Sequence, residues 1–422
     1  MIKALAGLLL SVGSIALRSI PIRSPIRNVV WLVVFLCAAV FPAHVAPQQS
    51  QSPATFSVPA ATPAQGYSLP PEKAAQAIAY ARARHELYFA DFAFSILVLV
   101  LIIRFRIAPK LRDWAERQSS RRLLQAIAFA APLFCLVGLS DLPAGVVSHS
   151  LARRFNQSIQ GWDSWLWDWL KGQTVSLVVA MLLVWLLYAV IRKSPRRWWL
   201  YLWLALLPII VLAIFITPVF FEPLFFKFTP LAESHPQLTA ELERVVVWDT
   251  TLARMDTSQI LLVFGHEMGH YVLGHIRDGI VFTAIILLIA LFAGFHLLHW
   301  AVRRCGSSLG LRSVGDWASL PMLLLILLLL DFVATPFDNA YSRHLEHQAD
   351  QYGLEVVHGI VPDAPQVAAR SFQVLGEIDL SEPAPSEAIK IWFYDHPTLD
   401  ERILFAQTYD PWDKGQSPAF VK

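Results

Sequence analysis

Five consecutive residues, His266-Glu267-Met268-Gly269-His270, combine two metal-binding side chains with a carboxylate at helical spacing. At about 3.6 residues per turn, His266 and His270 lie on one face of a helix, where two imidazoles can bind one Zn2+ ion. Glu267 projects from the same turn and can act as general base toward the attacking water. The motif therefore predicts a zinc site and a hydrolytic reaction together.

The same pattern can also arise on an apolar helix that carries two core histidines and an interfacial glutamate, because it fixes only three positions. The flanking residues 261–264 and 271–273 are apolar, which predicts a buried helix. A buried glutamate beside two histidines is costly unless something compensates its charge. A metal ion would do so, and the context therefore favours the metal site.

A tetrahedral zinc site requires a third protein ligand besides the two histidines. Glu346 and Asp350 follow the last apolar run and are four residues apart, so they share a helix face. One carboxylate can then bind the metal while the other accepts the free N–H of a ligand imidazole. His344 and His347 are further candidates, but their spacing matches this face less well.

His275 is the histidine nearest to the motif. On a continuous helix it would point about 140° away from His270. We therefore interpret it as a helix-end histidine, or as one that supports a ligand from behind, and not as the third ligand.

The composition indicates a membrane protein. Of the 422 residues, 55% are hydrophobic and 16% are charged, and the mean hydropathy is positive. The net charge is +2, and the basic residues lie in short loops rather than on one long face, so nothing predicts nucleic-acid binding. The three cysteines are far apart and predict no disulfide framework.

Seven apolar runs are long enough, or nearly so, to span a bilayer, which requires about 20 residues. They lie near residues 29–46, 88–105, 124–146, 174–192, 199–220, 279–300 and 318–336. The first run also resembles a signal peptide. We accordingly divide the chain into a signal-like or first-span segment (1–46), an extramembrane linker with a pre-helix segment (47–87), a membrane region (88–220), a segment with the histidine motif (221–278), two further spans (279–336) and a C-terminal helical segment with the third ligand (337–422).

Basic residues mark alternate loops. They cluster before the first run and after the second, fourth and sixth runs, so all of these loops fall on one side of the membrane. By the positive-inside rule this side is cytoplasmic, and the segments with the predicted chemistry, 221–278 and 337–422, are extracytoplasmic. The same orientation holds if the first run is a cleaved signal.

Local patterns place the chemistry on helices. A short β-prone run at 245–248 precedes the motif helix, which we expect to begin at about Thr257. A second helix is expected over 339–357, with Gly359 just beyond its end.

Three motifs in this order resemble the integral-membrane zinc proteases that include the type I CAAX prenyl proteases. They are His266–His270, then Ser342-Arg343-x-x-Glu346-x-x-Ala349-Asp350, and then His396-Pro397-Thr398-x-x-x-Arg402. The match extends over residues 72 to 410.

The resemblance implies an all-α polytopic fold of about seven transmembrane helices around an internal chamber that contains a gluzincin site. It implies that His266, His270 and Glu346 bind Zn2+. It also implies that Glu267, His396 and Asp350 are catalytic, Glu267 as the base, His396 at the oxyanion and Asp350 behind a ligand. By the same resemblance Arg402 neighbours the substrate or the catalytic groups. The substrate it implies is a peptide or protein that is membrane-associated or prenylated.

The sequence departs from the family in two respects. Relatives carry several tens of residues between the Phe-rich stretch after the fifth span and the motif helix, including a strand along which the substrate pairs, and here this insert is short. Peptide alignment depends on such pairing, whereas metal binding does not. In addition, eukaryotic CAAX proteases act on the cytosolic side, whereas the loop charges predict extracytoplasmic chemistry. A general membrane-protein quality-control protease and a catalytically impaired zinc- or peptide-binding homologue therefore remain as alternatives.

Overall fold

The computed structural model describes residues 66–225 and 249–421, and these residues form helices without any strand. In chain order the twelve α-helices within these ranges are α1 (Pro71–Arg104), α2 (Ile107–Gln118), α3 (Arg122–Arg154), α4 (Trp162–Lys193), α5 (Trp198–Ile216), α6 (Asp249–Arg254), α7 (Thr257–Val272), α8 (His275–Leu309), α9 (Leu320–Val357), α10 (Ala364–Ile378), α11 (Glu387–Phe393) and α12 (Leu399–Thr408). The β-prone run at 245–248 and the shortened segment before it lie outside the described residues.

Six helices of the described chain are long and apolar enough to cross a bilayer. They are Pro71–Arg104, Arg122–Arg154, Trp162–Lys193, Trp198–Ile216, His275–Leu309 and Trp317–Val357. Each overlaps one of the predicted apolar runs, and several extend well beyond it, whereas the run at 199–220 continues past the end of its helix at Ile216. The run at 29–46 lies outside the described residues.

The membrane helices share one apolar core. Its largest fully buried side chains include Trp198, Trp317, Tyr188 and Phe129. Tyr188 also shares a hydrogen bond with Ser319, 2.8 Å between the two oxygens. The hydroxyl of a buried tyrosine is thus satisfied within the core.

A second apolar core lies under the predicted chemistry and joins α7, α9, α10 and α12. Leu262, Leu354, Phe372 and Ile403 are among its buried members. This core fixes the motif helix against the C-terminal helices without any contribution from the membrane helices α3 to α5.

Helix α9 connects the membrane to the predicted site without a break. Its 38 residues correspond to about 57 Å at 1.5 Å per residue, which exceeds the roughly 30 Å of a hydrocarbon core. The helix expected over 339–357 is therefore the C-terminal half of a longer one. The segment boundary that we placed between 336 and 337 falls inside it, at Pro336.

Helix α7 begins at Thr257, as predicted, with a capping box. The Asp256 side chain accepts from the Gln259 backbone N–H, and the Asp256 N–H donates to the Gln259 side chain, both at 2.9 Å. The helix ends at Val272, and Gly274 follows with φ +77°. This left-handed conformation favours glycine and redirects the chain into α8.

Helices α7 and α9 approach each other very closely at the motif. A Cβ atom added to Gly353 of α9 would lie 3.0 Å from the backbone nitrogen of His266. Only a glycine lets the α9 backbone come so close, and this contact sets the distance between the motif and the carboxylates of α9.

Candidate metal centre

Two histidines of α7 and one glutamate of α9 converge on a common point. The Nε2 atoms of His266 and His270 lie 3.2 Å apart, and the Glu346 carboxylate oxygens lie 3.2 Å from the first and 3.6 Å from the second. Within the described residues, this is the group of three side chains whose donor atoms all lie within 4.8 Å of one another.

The donor set fits a zinc ion. Bonds of about 2.0–2.1 Å in a tetrahedron place neighbouring ligand atoms roughly 3.3–3.4 Å apart, close to the spacings found here. Two imidazole nitrogens facing each other at 3.2 Å, beside a buried carboxylate, also need a cation to compensate them. The site therefore accommodates the predicted metal with the three predicted ligands.

Asp350 contacts His266, the first of the predicted ligands, on the side away from the metal group. Its Oδ1 lies 2.8 Å from Nδ1 of His266, which leaves Nε2 of that imidazole for the metal. Burial lowers the pKa of His266, but hydrogen bonds to Asp350 and Glu346 outweigh it and raise the pKa above its ordinary value.

Arg402 holds Asp350 in turn. Its Nε and Nη2 donate to the two carboxylate oxygens at 2.8 and 2.5 Å, and the guanidinium lies 4.2 Å from the ring centroid of Phe372. The residue is only 4% exposed. The guanidinium therefore lies beside Asp350, one of the predicted catalytic groups, and its contact with substrate stays a prediction.

His275 lies against the second ligand, where a continuous helix would not have placed it. Its Nδ1 is 3.0 Å from Nδ1 of His270, and its Nε2 is 3.2 Å from Oε1 of Gln348 on α9. The 140° angle expected between His275 and His270 assumed a continuous helix. Helix α7 ends at Val272, and Gly274, with φ +77°, changes the chain direction so that His275 faces His270.

His396 reaches the group from the loop between α11 and α12. Its Nε2 lies 3.1 Å from Glu346, and its Nδ1 lies 2.8 Å from Asp395. Burial lowers the pKa of His396, but the two carboxylates outweigh it and raise the pKa to about 10. Nε2 therefore lies beside the metal group, where this imidazole can donate to an anionic oxygen.

The loop that carries His396 is held by two side chains of α9. Arg343 donates to the backbone carbonyls of Lys390 and Tyr394, at 3.2 and 2.5 Å, and Asn339 donates to that of Trp392 at 2.6 Å. These carbonyls lie in the last turn of α11 or directly after it, and that of Lys390 also accepts the Tyr394 backbone N–H at 3.2 Å.

The remaining predicted residues have clear positions. Glu267 is 3% exposed and follows His266 on α7. His344 and His347 are outside the metal group, and the ring of His347 packs on Phe405 at 4.4 Å between centroids.

Sequence reasoning missed the support roles of Gln348, Asn339 and Arg343. One signal was available: Asn339, Arg343, Glu346 and Asp350 recur at intervals of four, three and four residues, which is one face of a helix.

Comparison with known proteins gives consistent matches. Residues 55–227 match the model described as CAAX prenyl protease N-terminal, five membrane helices, and residues 232–410 match peptidase family M48. A protein of Bacillus subtilis described as uncharacterized metalloprotease YhfN is 30% identical, over 80% of this chain and 86% of its own. CAAX prenyl protease 1 of Saccharomyces cerevisiae is 22% identical, over 77% of this chain and 83% of its own.

Among solved structures, the crystal structure of S. mikatae Ste24p superposes with a TM-score of 0.68 at 19% sequence identity, covering 96% of this chain and 99% of the other. This likeness confirms the predicted polytopic helical fold around a chamber.

Proposed function

Because the chain belongs to peptidase family M48 and is a membrane-embedded metalloprotease, we propose that it is a zinc endopeptidase that cleaves membrane-associated peptides of the prenylated CAAX type. The proposal concerns the metal, the site residues and the substrate.

The convergence of His266, His270 and Glu346 beside Glu267 carries the proposal. Helix α7 supplies two imidazoles and a carboxylate within five consecutive residues. Helix α9 supplies the third ligand and continues into the membrane. No solvated surface cluster would bury these groups together with Asp350 and Arg402.

A bound zinc ion would polarise the scissile carbonyl and acidify a water molecule. Glu267 then accepts the proton of the attacking water and returns it to the leaving amine. His396 donates from Nε2 to the oxygen that becomes negative, which stabilises the transition state more than the ground state.

Two features support a membrane-associated substrate. Helix α9 continues from the metal group into a candidate span, so a lipid-anchored chain would enter beside the site. The relatives from yeast and from Oryza sativa are named as CAAX prenyl protease 1 or its homologue.

A lipid-independent membrane protease is the second candidate. The Bacillus subtilis relative, at 30% identity, is described as an uncharacterized metalloprotease, and this description mentions no lipid. The yeast CAAX prenyl protease 1 is 22% identical. The chemistry would be the same, and the two candidates differ in whether the prenyl group contributes to binding.

One experiment tests both the role of Glu267 as base and the contribution of the prenyl group to binding. It compares cleavage of a farnesylated peptide and of its unmodified counterpart by the zinc-loaded protein and by Glu267→Gln. We expect Glu267→Gln to keep one zinc per chain and to lose at least ~10³-fold in kcat, because the isosteric amide cannot accept a proton. The farnesylated peptide should have the lower KM. Glu86→Gln is the matched control, since its carboxylate is exposed and pairs only with Arg82 among the described residues.

Undiminished cleavage by Glu267→Gln would exclude Glu267 as the base. Equal kcat/KM for the two peptides would instead select the lipid-independent candidate. A wild-type protein that holds zinc and cleaves neither peptide would indicate the catalytically impaired homologue.

A further inference from the structure

We propose that His275 and Gln348 form a hydrogen-bond relay that fixes the tautomer and orientation of His270, so that His275 is a positioning residue of the metal site and not a ligand. The inference rests on the proposed metal site and extends it by two residues that are not among its predicted ligands.

The chemistry of Gln348 sets the direction of the relay. Its Oε1 lies 3.2 Å from Nε2 of His275 and can only accept, so that nitrogen carries a hydrogen and donates. A neutral imidazole protonated on Nε2 has its lone pair on Nδ1. The Nδ1 of His275, 3.0 Å from Nδ1 of His270, is therefore the acceptor of the second bond.

The consequence for His270 follows directly. Its Nδ1 carries the hydrogen that it donates to His275, and its lone pair is left on Nε2. Nε2 is the atom that lies 3.2 Å from the Nε2 of His266 and 3.6 Å from Glu346. The relay thus selects the tautomer of His270 that can bind the metal, and it fixes the ring plane.

The geometry excludes His275 as a ligand in this arrangement. Both of its ring nitrogens are engaged, one by His270 and one by Gln348. Its donor atoms are also not part of the group formed by His266, His270 and Glu346.

The fold builds this relay from three separate helices. His270 lies in the last turn of α7, His275 is the first residue of α8, and Gln348 lies on α9. Gly274 makes the connection, since its φ of +77° turns the chain so that an imidazole five residues later faces the ligand. His275 is 5% exposed, so water does not compete for its nitrogens.

The two metal-binding imidazoles therefore have different hydrogen-bond partners on the side away from the metal. His266 donates to the carboxylate of Asp350, which is itself bound by Arg402, whereas His270 donates to the imidazole of His275, which in turn donates to the amide oxygen of Gln348. Groups that orient a metal ligand in this way typically contribute 10- to 100-fold to metal affinity.

The test is the zinc dissociation constant of the purified full-length protein, measured by competition with a chromogenic chelator in the absence of substrate. We expect His275→Leu to raise this constant by roughly 10- to 100-fold. His275→Gln should recover much of the loss, because its amide oxygen can accept from His270. Gln348→Leu should weaken binding and Gln348→Glu should not.

A double variant separates a relay from two independent structural effects. If Gln348 acts through His275, the combination of His275→Leu and Gln348→Leu will bind zinc as His275→Leu does alone. His344→Leu is the matched control, because His344 is exposed on α9 and should leave the affinity unchanged.

Wild-type affinity in His275→Leu, or fully additive losses in the double variant, would overturn the relay. Loss of zinc stoichiometry in His275→Gln would overturn it as well and make His275 a ligand. Should His275→Leu fail to fold, the pair Gln348→Leu and Gln348→Glu gives the same test. Zinc affinity is independent of turnover, so an absence of peptidase activity, which would contradict the proposed function, does not affect this result.

Discussion

At the scale of single residues, Asp350 joins the Arg402 guanidinium to the His266 imidazole. It accepts from the Arg402 guanidinium through two bonds and from the His266 imidazole through one. Both Asp350 and Arg402 are almost fully buried, at 3% and 4% exposure. A buried pair of this kind gains little over apolar residues, but removing one partner leaves an uncompensated charge.

We expect removal of the buried Arg402 to lower the free energy of unfolding much more than removal of an exposed arginine. Arg402→Met leaves Asp350 buried without its guanidinium, and we expect the free energy of unfolding to fall by about 3–5 kcal/mol. Arg312→Met is the control, because that side chain is 56% exposed in its pairs with Asp113 and Glu116, and exposed pairs contribute about 0–1 kcal/mol. Reversible unfolding of both variants in detergent measures the difference. Equal losses would mean that Arg402 is not the partner that Asp350 requires.

At the scale of elements, α9 contacts both α7 and the C-terminal end of α11. Glu346 and Asp350 face α7. Arg343 and Asn339, one and two turns before Glu346 on the same helix face, donate to backbone carbonyls at the C-terminal end of α11. A single helix therefore fixes the metal ligand and the loop of His396 relative to each other.

This arrangement predicts that Arg343 affects turnover without affecting the metal. Arg343→Met removes the anchor of Lys390 and Tyr394, and a displacement of His396 by about 1 Å can cost roughly 100-fold in rate. Zinc content should stay at one per chain, since none of the three ligands is touched. Measuring kcat together with bound zinc tests this, with Arg370→Met on the surface of α10 as the control. A parallel loss of zinc would contradict the separation of roles.

At the scale of the whole molecule, the basic loops meet at the end opposite the metal centre. Arg106 donates to the carbonyl of Ser308, Arg112 pairs with Asp316 at 2.5 Å, and Arg192 donates to the carbonyl of Gly315. The loops after the second, fourth and sixth runs thus form one basic end, as their alternation predicted. This end should face the cytoplasm.

The orientation can be measured with single cysteines in a chain whose native Cys37, Cys135 and Cys305 are replaced by serine. We expect a membrane-impermeant maleimide to label Glu387→Cys on intact cells, because this exposed position lies on the side of the metal centre. Arg196→Cys at the basic end should react only after permeabilisation. The reverse pattern would place the catalysis on the cytosolic side.

Local sequence determined the parts of the molecule that depend on short-range periodicity. The span positions follow from apolar length, the start of α7 at Thr257 from its capping residues, and the facing of His266 with His270 from the helical repeat. The prediction of Glu346 as third ligand, in preference to His344 and His347, also followed from spacing, together with the resemblance to known membrane proteases.

Only the tertiary structure decided that His275 contacts His270 and that Arg402 contacts Asp350. The role of His275 depends on a helix that ends at Val272 and on the left-handed φ of Gly274, whereas periodicity alone extended the helix and pointed His275 away. The burial of Arg402 on Asp350 depends on the close approach of α7, α9 and α12. Such contacts join residues that are 52 to 84 positions apart, and no local pattern specifies how distant helices pack.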